Sequence, residues 1–278
     1  MNAFFMLEMV RENIGEETAS HWTDLNILRR INASQRKVAQ MLSMAQGGWL
    51  IESADITPVA SLITYPSNCS KIAYIEVKET GRVVHFLPSI KGRSISRNLN
   101  DTCLEVYPVM DGLMVNEDDY TTELTIWYQR RIPDLHTSGI SDYADAGAAT
   151  SLTLTTALNP VMRVDYYNDA EIEIISGTGS AIRTSITDYT AAGVCTTAAG
   201  TFSTDTVYGT IPMIPEEMHS YIVWDATVSS LMRPGATMDE KVISYYIQEA
   251  RNARKIVEEW IESRNVGADG VMFGDLIT

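Results

Sequence analysis

A β-rich stretch set between two helical ends most limits the folds open to this chain. Residues 159–211 run through Asp165-Tyr166-Tyr167-Asn168, Glu171-Ile172-Glu173-Ile174-Ile175-Ser176, Gly177-Thr178-Gly179 and Ile186-Thr187-Asp188-Tyr189. They continue in short Thr/Ala/Gly-rich pieces to Tyr208 and Ile211. Ile172 and Ile174 on one side of the glycine pair, and Ile182 and Ile186 on the other, alternate with polar residues as half-buried strands do. The glycines suit a turn that needs positive φ. Helical sequence on both sides implies that the two ends close into one helical unit which this segment interrupts. Such an insertion fits a scaffold that carries surface better than a catalyst.

At the N-terminal end, residues 3–13 form a short helix with Phe4, Leu7, Met9 and Val10 apolar and Gly15 as its stop. Asp24 is placed to cap a second helix whose inward positions, Leu28, Ile31, Gln35, Val38, Leu42 and Ala45, recur at three and four; Gly47-Gly48 ends it. Helix returns at Pro215-Glu216-Glu217, where proline is tolerated and the acids favour the positive helix N-terminus. Met218, Ile222, Ala226 and Ser229 make a narrow stripe, broken at Pro234-Gly235. A last helix over 239–264 directs Val242, Tyr246, Ala250, Ala253, Val257, Trp260 and Ile261 inward.

Between these ends, short alternating stretches at 49–56, 70–77, 82–86, 102–109 and 123–128 are bounded by Gly, Pro, Asn or Asp and predict strands. Leu124, Ile126 and Tyr128 fall on one face of a half-exposed antiparallel strand. A loop over 132–147, with Pro133, Gly139 and Gly147, separates this region from the second β segment. The expected fold class is therefore α+β, a helical bundle of N-terminal and C-terminal helices with antiparallel β elaborations between them. Its parts are 1–48 with 212–278 as the helical core, 49–135 as an antiparallel β region, and 140–211 as an inserted β module.

Composition narrows the function. With a formal net charge of −15 the surface repels phosphate backbones, which disfavours sequence-independent nucleic-acid binding. DNA passing near such a surface would not stick to it. No apolar run reaches membrane-spanning length, and Met1-Asn2-Ala3-Phe4-Phe5-Met6-Leu7 meets Glu8 too soon for a signal peptide, so the expectation is a chain made in the cytosol without a membrane anchor. Cys69, Cys103 and Cys195 are odd in number and widely spaced, which argues for free thiols and against a disulfide framework or a thiolate metal cluster.

The common catalytic motifs are missing: there is no His-Glu-x-x-His, no Walker loop, no Gly-x-Ser-x-Gly and no calcium-loop spacing. His21, His85, His136 and His219 are scattered without partners at ligand spacing. Gly177-Thr178-Gly179 follows a strand as a dinucleotide-binding turn would. The third glycine position is Ile182, however, and a β-branched stretch follows where a helix N-terminus is required. Asn116-Glu117-Asp118-Asp119 lacks the distal bidentate acid of a dedicated calcium loop. No catalytic, cofactor or metal residue is assigned, and the chain is not expected to be an enzyme.

Two features point to partners. Arg29, Arg30, Arg36 and Lys37 form the notable basic cluster of the first half, suited to an acidic partner subunit or to simple solvation. Val271, Met272, Phe273 and Leu276 lie beyond two glycines after the last helix, as a docking tail or a segment folding back on its own core.

Three stretches together resemble virion structural proteins of tailed bacteriophages, in particular the head-to-tail adaptor (head completion, connector) proteins below the portal. They are Trp22-Thr23-Asp24-Leu25-Asn26-Ile27-Leu28-Arg29-Arg30-Ile31 continuing to Ala39, the β pattern from Asp165 to Tyr189, and the closing helices at 215–264. The β pattern is similar to a module found at several virion positions, and the helical frame turns the comparison toward the adaptor. The resemblance implies a homo-oligomeric ring, commonly dodecameric, at the head-tail junction. Its partners would be the portal protein, a tail or nozzle protein, and genomic DNA passing without specific binding, with no membrane and no cofactor. The alternative is a tail, fibre or capsid-surface protein whose β module binds host surface or glycan, with Tyr166, Tyr167 and Tyr189 as aromatic contacts.

Overall fold

A computed structural model describes residues 1–16, 21–44, 48–86, 104–109, 112–117, 120–232 and 240–265. The fold is α+β, and the chain divides into two compact units. Unit 1 comprises Met1–Gly47 with Ile132–Thr278, and unit 2 comprises Gly48–Arg131.

Helix α1 (Ala3–Ile14) begins where the Asn2 side chain accepts from Phe5 N and ends at Gly15, whose φ of 71° lets its N–H reach back to Arg11 O and Glu12 O. It buries Ala3, Phe4, Met6, Leu7, Val10 and Ile14. Helix α2 (Asp24–Met44) buries Ile27, Leu28, Ile31, Gln35, Val38 and Leu42. The capping residue is Thr23, not Asp24: Thr23 Oγ1 and its carbonyl accept from Asn26 N. Asp24 instead accepts from Arg11 and from Ile140 N. Arg11 is 1% exposed and also donates to Glu16 O and Trp22 O. A buried guanidinium needs this many acceptors to offset its lost hydration, so the pair fixes the α1–α2 corner.

After Pro215 a 3-10 turn, Glu216–Met218, leads into α3 (His219–Leu231). Expected as a narrow stripe, α3 is buried over most of its circumference: Tyr221, Ile222, Val223, Ala226, Thr227, Ser230 and Leu231 are inside, while Ser229 is half-buried. The reason is its position, because α3 packs against α1, α2 and α4. Helix α4 (Glu240–Asn265) has 26 residues and spans roughly 39 Å. Ala253 and Val257 are buried, and Tyr246, Ala250, Trp260 and Ile261 are half-buried. Val242, expected inside, is 39% exposed. Helix α3 has 13 residues, half the length of α4, and so covers only part of the longer helix.

Unit 1 also carries a six-stranded antiparallel sheet in the order β14-β11-β12-β13-β10-β9. The strands are β9 (Ala146–Ala148), β10 (Ser151–Thr153), β11 (Glu171–Ser176), β12 (Arg183–Tyr189), β13 (Val194–Thr197) and β14 (Val207–Thr210). Gly177, with φ of 79°, makes the β11–β12 turn; a Cβ there would lie 2.0 Å from Asp205 O, so glycine is required by space as well as by conformation. Ile172, Ile174 and Ile186 build the sheet core with Leu152, Leu154 and Cys195, and Tyr167, Tyr189 and Tyr208 join them.

The stretch after residue 131, expected as a separating loop, carries no helix or strand up to Ala146, and its first part is packed into the core. Pro133, Leu135, His136, Thr137, Ser138 and Gly139 are buried between α2 and β14. Buried backbone must find partners. Asn32 does this on one side, donating to Leu135 O and accepting from Leu135 N, and Gln35 donates to Pro133 O. On the other side Thr210 N donates to His136 O and Ser138 N to Tyr208 O, with a bridge between Thr137 and Gly209. The segment thus extends the sheet beyond β14 and ties it to α2.

Unit 2 has two four-stranded sheets, β1-β8-β3-β4 and β2-β7-β6-β5. Their strands are β1 (Ile51–Ile56), β2 (Leu62–Thr64), β3 (Cys69–Val77), β4 (Arg82–Val83), β5 (His85–Phe86), β6 (Glu105–Val109), β7 (Gly112–Val115) and β8 (Leu124–Arg130). All pairings are antiparallel except β5 with β6. Ile75, Leu124, Ile126 and Tyr128 from one sheet meet Ile63, Val106, Leu113 and Val115 from the other in one aliphatic core. Among the described residues no helix is long and apolar enough to cross a membrane.

Candidate partner-binding site

The basic residues of α2 do not act as one cluster. Helix geometry spreads them, and three are tied to neighbours within unit 1. The Arg36 guanidinium grips the Asp134 carboxylate with two bonds of 3.1 and 2.5 Å. Lys37 Nζ lies 2.9 and 2.7 Å from the two oxygens of Asp225, which also accepts from Ser34 Oγ at 2.6 Å. Arg30 rests over the Trp22 ring, 4.5 Å from its centroid, and donates to Ser229 O. Arg29 is exposed and makes no hydrogen bond or ion pair among the described residues. Val271, Met272, Phe273 and Leu276 lie outside the described residues, as do Asp118, Asp119 and Cys103.

Arg29 stands on a ridge between two hollows. One is a cleft of about 300 Å³ between α2 and α3, lined by Trp22, Asn26, Arg30, Ala33, Lys37 and Asp225 along with Arg29. The other, about 240 Å³, lies between α2 and the buried segment, with Arg36, Asp134, His136, Asn159 and Tyr167 among its walls. His136 is a residue that sequence reasoning passed over. It is 1% exposed, its Nδ1 lies 3.1 Å from the Tyr208 hydroxyl, and its Nε2 has no hydrogen-bond partner. The Tyr208 hydroxyl also accepts from Thr155 N, so the ring is tied through it to the backbone after β10. Burial pushes the His136 pKa down to about 3, with the Thr155 backbone and Asp145 offsetting only part of the effect. The ring is neutral at physiological pH. No periodicity or motif marks it, since it sits in a stretch with the look of a surface loop.

Chemistry elsewhere is muted. Burial raises the Cys195 thiol well above its ordinary pKa and raises the half-buried Cys69 as well, so neither is poised as a thiolate. Among the described residues no group of three or more His, Cys, Asp or Glu is placed to hold a metal ion. Tyr167 and Tyr189 are 1% and 0% exposed and pack edge to face at 4.8 Å, so their rings belong to the sheet core and not to a recognition surface. Tyr166 is half-buried, and its hydroxyl accepts from Asp134 N. No protein-family model matches the chain, and no curated protein matches it significantly.

Proposed function

We propose that this chain is a structural virion protein of a tailed bacteriophage, a ring-forming head-to-tail adaptor that joins the portal to the tail and surrounds the DNA passage. The observation that carries the reading is the packing of α3 against α1, α2 and α4, through which helices from both ends of the chain form one bundle bearing a β elaboration. That arrangement is what the resemblance to adaptor proteins implies. An acidic surface suits a channel wall, since it repels the phosphate backbone and lets DNA slide. The alternative of a glycan-binding tail or capsid-surface protein loses support with the burial of Tyr167 and Tyr189.

Purified chain mixed with isolated portal rings should form ring-shaped assemblies, dodecameric by mass photometry and negative-stain microscopy. A chain that stays monomeric and leaves portal rings bare would overturn the reading. Removing residues 267–278 should weaken portal binding while leaving the circular dichroism melt unchanged; unaltered binding rules out the docking-tail idea.

A further inference from the structure

We infer that the outer flank of α4 pairs with α4 of a second copy of this chain, antiparallel and about a two-fold axis. Helix α4 carries more apolar surface than α3 covers: Val242, Tyr245 and Ile256 are 39%, 56% and 49% exposed, and Trp260 is half-buried. These four are not scattered. At about 100° per residue they fall within roughly 60° of the helix circumference, beside the face that carries Ala253 and Val257 into the bundle. The stripe runs roughly 27 Å from Val242 to Trp260. An apolar band of that length, rimmed by polar residues, marks a contact surface.

What names the occupant is that the stripe is complementary to its own reverse. A two-fold axis crossing α4 between Ala250 and Arg251 sets Tyr245 against Ile256 of the second copy, and Val242 against Trp260 of the second copy. The polar residues match in the same register. Half-buried Glu249 faces Asn252 of the second copy, whose side-chain oxygen already accepts from Gln248 and whose amide N–H is left to donate. At the rim Lys241 comes opposite Glu259 of the second copy. A parallel pair in register would instead set Glu249 on Glu249, like charge on like. The two-fold contact is closed, so it describes the free chain and does not rest on the adaptor reading, whose ring needs a head-to-tail surface.

The test follows the mass of the full chain by sedimentation velocity and light scattering from about 1 to about 100 μM. A species of twice the chain mass should appear within that range, and Ile256→Glu should weaken it about a hundredfold, because an isologous contact meets each substitution twice. Ile256 is 49% exposed, so the variant's thermal melt at low concentration should match that of the parent, which separates lost pairing from lost fold. Direction is read by mild oxidation. Tyr245→Cys chains mixed with Ile256→Cys chains should cross-link well above the parent chain, and neither variant should do so alone. A full chain that stays monomeric at about 100 μM overturns the inference, and if removing residues 267–278 then lets it pair, the flank belongs to the chain's own end. A larger assembly indifferent to Ile256→Glu also overturns it. So does cross-linking of either cysteine variant with itself and not in the mixture, a pattern that belongs to a parallel pair.

Discussion

The two β regions are alike in strand content but close their cores by different means. In unit 2 the two sheets supply the aliphatic core between them, from Ile63, Ile75, Val106, Leu113, Leu124 and Ile126, within the continuous segment Gly48–Arg131. In unit 1 the sheet depends on elements far away in sequence. Strand β14 backs onto α1 so closely that a Cβ on Gly209 would lie 2.8 Å from Phe4 N, and its outer neighbour is the buried segment held by Asn32 and Gln35 of α2. The difference teaches that strand count does not measure independence. What matters is whether the buried backbone and apolar faces of a sheet are satisfied by nearby chain or by the frame into which it is inserted.

The largest expected effect comes from separating the pieces. Residues 48–131 expressed alone should give a cooperative thermal transition by circular dichroism, whereas residues 140–211 alone should not, having lost α1, α2 and the partners of β14. A cooperative melt of 140–211 would break the comparison. A smaller effect comes from single cavities in the intact chain. Ile172→Ala in β11 and Ile126→Ala in β8 each remove a side chain that is 0% exposed, and each should cost about 2–5 kcal/mol. In calorimetry each should lower the transition of its own unit. A parallel shift of both transitions by either variant would show that the units unfold together.

Much of this was legible in the sequence where periodicity is long. The inward face of α2, from Leu28 to Leu42, follows from spacing alone, and Gly15 and Gly177 announce their turns because only glycine meets the backbone there at no cost. The short strands β2 and β7 were not legible, since three or four residues give too little alternation to count. The segment from Pro133 to Gly139 is the loop that its Pro and Gly announce, but its burial was not legible, because nothing local records that Asn32 and Gln35 wait to pair its carbonyls. The site shows the same limit. The cations of α2 are visible as letters, but their engagement is set by Asp134, Asp225 and Ser229, roughly one hundred to two hundred positions away. Only the structure separates Arg29 from the rest.

The comparison also predicts different responses to acid. His136 belongs to unit 1 and has its folded pKa lowered to about 3 by burial, against about 6.5 for an unfolded histidine. Below pH 6.5 the unfolded chain takes up a proton that the folded chain refuses. Unfolding is thereby favoured, so the contribution is complete above that pH and is lost as pH falls toward 3. The cost between pH 8 and pH 5 is about 2 kcal/mol. His219, also in unit 1 and also lowered by burial and by the nearby N-terminal amine, adds in the same direction. In unit 2 the lowered group is Asp55, held down by hydrogen bonds from Lys78 and Thr125; its stabilisation is lost only as pH drops through the carboxylate range, below about 4. Between pH 7 and about 4.5, therefore, the unit 1 transition should fall while that of unit 2 holds. His136→Phe should flatten most of the slope, leaving the smaller part due to His219. The Phe variant is expected to start from a lower baseline, because the buried Tyr208 hydroxyl loses its hydrogen bond to the ring. A slope that survives His136→Phe unchanged would place the acid sensitivity of unit 1 somewhere other than this ring.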